Sequence, residues 1–205
     1  MNGHFVKTPK TPTMKKLLFS LCLLLTGSTT LYAQSFSMGA RAGLNFAKET
    51  VTGSGASISG ITKTSFLLGG YAKYMFTDKI GFQPEFFYSS LGTRSDPIIE
   101  NLNYLSIPVM LRYNVTENVH FLAGPQLSIL VSAKEVSDGR ITDIKNHFKP
   151  YDLSVTLGVG VDFGPFNAGL RYCIGMLNIS NDAPTGFMVR NNAFQIVGGY
   201  KLFGK

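Results

Sequence analysis

Cysteine is scarce in this chain, two residues in 205, and no apolar run reaches the ~20 residues that a helix needs to cross a membrane. The run that comes nearest, Leu17 to Leu25, is about half that length. It follows Lys15 and Lys16 and precedes small and polar residues ending in Tyr32-Ala33-Gln34, the layout of a secretory signal peptide. The expectation is an N-terminal extension and cleaved signal over residues 1–33, with Met1 or Met14 as the start, and one domain over 34–205. Cys22 falls inside the leader, so Cys173 is left alone. That excludes an intramolecular disulfide and a zinc site built on cysteines.

The excess of positive charge also shrinks on inspection. Residues 1–33 hold four of the 19 basic residues and none of the acids, so the net charge drops from +7 for the whole chain to +3 beyond the leader. A nucleic-acid partner loses its main support, and none is expected. A helical period is missing from residue 34 onwards.

What is present instead is a period of two. In Leu153 to Phe163, Leu153, Val155, Leu157, Val159, Val161 and Phe163 alternate with Ser154, Thr156, Gly158, Gly160 and Asp162. Side chains of a strand point alternately to opposite faces, so this segment has one apolar and one small or polar side. Seven further segments repeat the pattern: 36–46, 66–76, 80–88, 105–113, 119–129, 166–176 and 194–202. The apolar faces carry no charged residue, and every strand charge falls on the other side. A soluble ligand-binding barrel would reverse that distribution; a lipid-facing wall requires it. About 11 residues at ~3.3 Å rise and ~40° tilt span close to 28 Å. The fold expected is all-β: an eight-stranded antiparallel up-and-down transmembrane β-barrel in an outer membrane.

The connections alternate in length. Thr77–Lys79, Asn114–Asn118 and Gly164-Pro165 are short, whereas 47–63, 94–101, 132–150 and 178–190 are long. Outer-membrane barrels have short periplasmic turns and longer external loops, which places both termini in the periplasm. Aromatics cluster on the apolar faces near the short turns (Phe36, Phe82, Tyr113, Phe163, Phe166 and Tyr200 among them), as an interfacial girdle would. Pro84, Pro108 and Pro125 each remove a ladder donor and read as bulges or strand ends.

The polar faces carry the chemistry. Arg41, Lys73, Glu85, Arg112, Asp162, Arg171 and Lys201 point inward, with Asp152 among them nearer the loops. Eight strands leave an interior just wide enough for side chains to fill. These residues are therefore expected to form a structural ion-pair network, with Glu85 held by Arg41 and cations of neighbouring strands. A narrow anion channel is the alternative, since basic groups outnumber acids. A lipid-modifying enzyme is the other, resting on His147 in the third long loop with a loop serine as nucleophile. Solvated loop is the plainer account of His147, so no catalytic residue, cofactor or metal is expected.

Four stretches resemble a known family: FQPEFFYSSLG (82–92), YLSIPVMLRY (104–113), FLAGPQLSIL (121–130) and the ending GGYKLFGK (198–205). They are similar to the PorT-like outer-membrane β-barrel family of Bacteroidota. The resemblance runs from Phe36 to the end, and Pro84-Glu85 and Ile107-Pro108 are its more specific parts. It implies an outer-membrane barrel without an assigned activity. The partners it implies are outer-membrane lipid, the barrel-assembly machinery and proteins of the envelope or of secretion. One departure stands out. A terminal aromatic often forms part of the assembly signal, and here Phe203 is followed by Gly204-Lys205.

Overall fold

The computed structural model describes residues Ser35–Gly204. The expected leader, 1–33, lies outside these residues. Eleven strands follow one another: β1 (Ser35–Gly53), β2 (Ala56–Ser59), β3 (Lys63–Met75), β4 (Ile80–Leu91), β5 (Arg94–Ser95), β6 (Ile98–Asn114), β7 (Val119–Ser137), β8 (Arg140–Asp143), β9 (Tyr151–Phe163), β10 (Phe166–Gly175) and β11 (Met188–Gly204). Eight of them close a ring in the order β6-β4-β3-β1-β11-β10-β9-β7, with β7 returning to β6. Every neighbouring pair is antiparallel, and β1 meets β11 along a ladder from Ser37↔Gly204 to Thr52↔Met188. Closure leaves the ring itself without a free edge, which satisfies the backbone where no water can. This is the eight-stranded up-and-down barrel that the alternation predicts.

Phe36, Leu44, Phe66, Leu68, Phe86, Leu111, Phe121, Leu157, Leu170 and Ile196 are exposed on the outer wall, while the residues that alternate with them face the lumen and are buried or half-buried. The band of apolar outward positions holds no charge and ends on β1 at Phe46, beyond which Lys48 takes the outward position. Aromatic rings gather at the short-turn rim: Phe166 packs at 5.2 Å from Tyr200 and 6.0 Å from Phe163, and Tyr74 at 5.2 Å from Phe76.

Two local expectations need correction. The stretches 47–63 and 132–150 are not plain loops: β1 runs on to Gly53 and folds back as β2, and β7 runs on to Ser137 and folds back as β8. Both hairpins stand clear of the apolar band, where backbone pairing continues although one-sided patterning has stopped. The three prolines are neither bulges nor strand ends. Each lies within a strand, at a local gap in a ladder: Pro84 between Tyr71↔Glu85 and Tyr74↔Phe82, Pro108 between Pro84↔Val109 and Phe87↔Ser106, and Pro125 between Pro108↔Gln126 and Leu111↔Ala123. A missing N–H costs the pairing of a few residues, and the strand continues through. The register shifts lie elsewhere, at Met38/Gly39 and Asn103/Tyr104.

Candidate functional site

Inward positions of the ring strands converge on a lumen filled in layers. At its centre stands Glu85, whose side chain is fully buried between Arg41 and Arg171. Arg171 holds it with two parallel bonds, Nη1 to Oε2 and Nη2 to Oε1, both 2.7 Å. Arg41 donates to Oε1 from the other side, and Gln83 adds an amide N–H. Arg41 also donates to Asn167, which donates onward to the Tyr71 hydroxyl at 3.0 Å, and the Arg41 guanidinium lies 4.5 Å over the Tyr71 ring. Two cations around one carboxylate leave a net charge of +1, delocalised over planar groups that tolerate close packing.

Nearer the short turns Asp162 gathers a second group. Arg112 donates to its Oδ2, Lys73 Nζ lies 3.6 Å away, and His120 Nδ1 lies 3.9 Å from Oδ1. Arg112 Nη1 also donates to Gln83 at 3.2 Å, so the two groups are joined through one amide. His120 is the neighbour of the outward Phe121 on β7 and is therefore turned inward and buried. Lys201 belongs to the same face but forms no ion pair among the described residues. It is half-buried at the short-turn end, where its N–H donates to the Pro165 carbonyl.

Towards the long loops the ion pairs give way to amides and hydroxyls. Asn45 donates to Ser89 Oγ and to the Ser90 carbonyl, and Gln195 donates back to Asn45. Asn191 donates to Tyr104 and to Asp152, both at 3.2 Å. Asp152, read as part of the inward charge set, thus sits apart from the ion pairs with polar neutral company. Above this layer Ala47, Leu102, Leu130, Ala133, Ile179 and Ala193 form an apolar cluster against which Ile144, Phe148 and Val189 pack. Ile144, Phe148 and Ile179 belong to the third and fourth long loops, so the loops cap the mouth with their own apolar residues.

Those loops are stitched together. Lys149 N–H donates to the Ile179 carbonyl at 2.7 Å, and Asn181 Nδ2 donates to the carbonyls of Asn146 and Phe148. His147 Nδ1 meets Asp182, and both residues are well exposed. The Ser180 hydroxyl accepts from the Asp182 N–H. Among the described residues no serine hydroxyl bonds to the His147 ring, so the nucleophile–base contact of a serine hydrolase is not assembled there.

At the rim beyond the apolar band, Glu49 projects inward with an oxygen that has no partner. Burial and the nearby Glu100 carboxyl push its pKa up to about 8. Lys63, which donates to the Leu91 carbonyl at 2.8 Å, is pushed down to about 8 by burial. Neither was singled out from the sequence, although each lies at an inward position of a ring strand.

No curated protein sequence matches the chain. Three solved structures share the barrel outline at low similarity. Ail, the attachment invasion locus protein of Yersinia pestis, is 19% identical, covering 84% of this chain and 100% of that one, with a TM-score of 0.46. Neisserial surface protein A is 16% identical over 83% of this chain and 99% of that one, TM-score 0.46. The outer membrane protein OprG from Pseudomonas aeruginosa is 16% identical over 83% and 96%, TM-score 0.42. The family model of the outer membrane protein beta-barrel domain matches residues 32–181. With that match over most of the chain, and the closed ring behind it, the protein belongs to the outer membrane protein beta-barrel domain family.

Proposed function

We propose that this outer-membrane barrel is a plugged scaffold whose role is structural or interactive, presenting stitched loops outside the cell and assisting envelope assembly or secretion. The observation that carries this reading is the filling of the lumen. Ion pairs occupy its centre, a neutral amide layer lies above them, and an apolar cap covers the mouth, so what remains for partners is the outer surface. The affinity to PorT-like proteins of Bacteroidota, drawn from the Pro84-Glu85 and Ile107-Pro108 stretches, favours the secretion side of that role.

The orientation belongs to the same proposal. Both termini face the periplasm, and the β1–β2 and β7–β8 hairpins stand outside. Gly55 and Gly139, at the two hairpin tips, have positive φ and open space around them, which suits them to epitope insertion. An epitope at Gly139 should be reached by antibody on intact cells, and one at the Gly164 turn only after the outer membrane is opened. The reverse pattern would refute the orientation, and steady unit conductance of the purified protein in planar bilayers would refute the plug.

A further inference from the structure

The short-turn half of the lumen carries more positive charge than its own side chains balance. Arg41 and Arg171 share Glu85, which leaves +1. Nearer the turns Arg112 and Lys73 share Asp162, and Lys201 on the same inner face has no acid among the described residues, which leaves +2 with His120 neutral. The inward acids that these groups do not use, Glu49, Glu100 and Asp152, lie beyond the Asn45–Gln195 amides. Glu49 stands ten residues above Gly39, the cross-strand partner of Lys201. At ~3.3 Å rise and ~40° tilt that is about 25 Å along the barrel. It is about six times the ~4 Å of a contact pair, and Coulomb attraction falls in proportion. Those acids cannot neutralise the turn end.

The excess sits where water enters. Lys73 and Asp162 keep 20% and 24% of their side chains exposed, and Lys201 is half-buried. Lys73 and Lys201 belong to the two strands that flank β1, where they pair with Ser37 and Gly39. On its inner face β1 therefore sets only a hydroxymethyl group and a hydrogen of its own between them. Two interstrand spacings, about 10 Å, separate their backbones, and Lys73 feels the charges of both Arg112 and Lys201. Ser37 Oγ, beside Lys73, is fully buried and has no hydrogen-bond partner. A buried hydroxyl left unpaired is costly, and among cations an oxyanion is the acceptor that suits it. Further in, the Glu85 triad and Gln83 fill the lumen, so this mouth is a dead end and not a path.

We propose that the short-turn mouth of the lumen binds a phosphate dianion. Lys73 and Lys201 hold its oxygens from either side of β1, and the Ser37 hydroxyl donates to it from between them. The local charge of +2 favours a dianion over a single carboxylate, and lysine, a point charge with rotatable donors, suits phosphate. Arg112 is already engaged by Asp162 and Asn114 and contributes only its field. Facing the lumen axis, the site is walled off from bilayer headgroups. The phosphate is therefore that of a soluble molecule, either the free ion or a small phosphate monoester. The orientation proposed above decides only which compartment supplies it; the binding itself does not rest on that reading.

The test uses the full mature protein folded in detergent, with folding verified by heat-modifiable gel mobility. Binding of inorganic phosphate, glycerol 3-phosphate and acetate is measured by isothermal titration calorimetry at constant ionic strength in chloride. The wild type should take up phosphate saturably and more tightly than acetate, and the tighter of the two phosphates tells the free ion from the ester. Lys201→Gln should weaken phosphate about tenfold or more, the loss of one charge-assisted hydrogen bond, and Lys201→Arg should retain most of the binding. If Lys201→Gln does not fold, Ser37→Ala carries the test. It should weaken phosphate about two- to tenfold, the share of a neutral donor, without lowering stability when phosphate is left out. No saturable phosphate binding by the wild type, or equal affinity for acetate, would overturn the proposal. So would unchanged affinity in a folded variant, or an equal loss in Lys134→Gln at the long-loop end of β7.

Discussion

Replacing Glu85 by glutamine keeps the shape of the central side chain and removes its charge. Two guanidiniums, each almost wholly buried, then face one another across a neutral amide. Loss of one partner from a buried ion pair costs about 3–5 kcal/mol, because the remaining charge stays desolvated. The upper half of that range is expected here, since two cations rather than one lose their counter-charge. Arg171→Met should cost less. It takes the triad from +1 to neutral and leaves Glu85 with Arg41 and Gln83, at the expense of the parallel pair of bonds and of the Arg171 contact with the Phe87 ring, 6.0 Å away. The chain has no tryptophan, so unfolding in urea from lipid vesicles is best followed by far-ultraviolet circular dichroism and gel mobility. A loss below about 1 kcal/mol for Glu85→Gln, the level of an exposed pair, would refute a desolvated triad. A larger loss for Arg171→Met than for Glu85→Gln would refute the charge argument.

Two further outcomes follow from the faces and the rim. Leu157→Arg, on the outer wall in the middle of β9, should destabilise by about 2–4 kcal/mol, and Phe163→Arg at the short-turn end by about 0–1; equal losses in vesicle unfolding would put the membrane midplane elsewhere. Glu49 binds its proton more tightly folded than unfolded, so wild-type stability should fall as pH rises from the ordinary value near 4.5 through about 8. Glu49→Gln should flatten that slope and raise stability above pH 8, and an unchanged pH profile of unfolding would contradict the burial of this carboxyl.

The wall of the barrel is legible in the sequence because lipid imposes one rule on every outward position. Phe36 to Phe46 and Leu153 to Phe163 obey it, so parity alone assigns Arg41 and Asp162 to the lumen. Above the band the rule lapses. Lys48, Thr50 and Thr52 can face water as readily as Glu49 and Val51, and the strand from Ala47 to Gly53 therefore looks like loop. The partners of Glu85 are hidden for another reason. Arg41 is 44 residues away and Arg171 86, and which inward side chains meet depends on the stagger of strands around the ring. Parity supplies the candidates without the pairing. The neutral bridges Gln83 and Asn167 share those inward positions, and only their lack of charge kept them out of the expected network.

The seam between β1 and β11 has a consequence for biogenesis. Its two halves are the first and last strands of the described chain, and their ladder runs from Ser37↔Gly204 to Thr52↔Met188. During synthesis β1 exists long before its partner, and until β11 arrives one side of β1 is an open row of donors and acceptors that any strand could occupy. Removal of β11 would not give a smaller barrel but a sheet with two raw edges, which a bilayer cannot hold. Insertion therefore has to be an event of the whole chain, complete only when its final strand closes the ring.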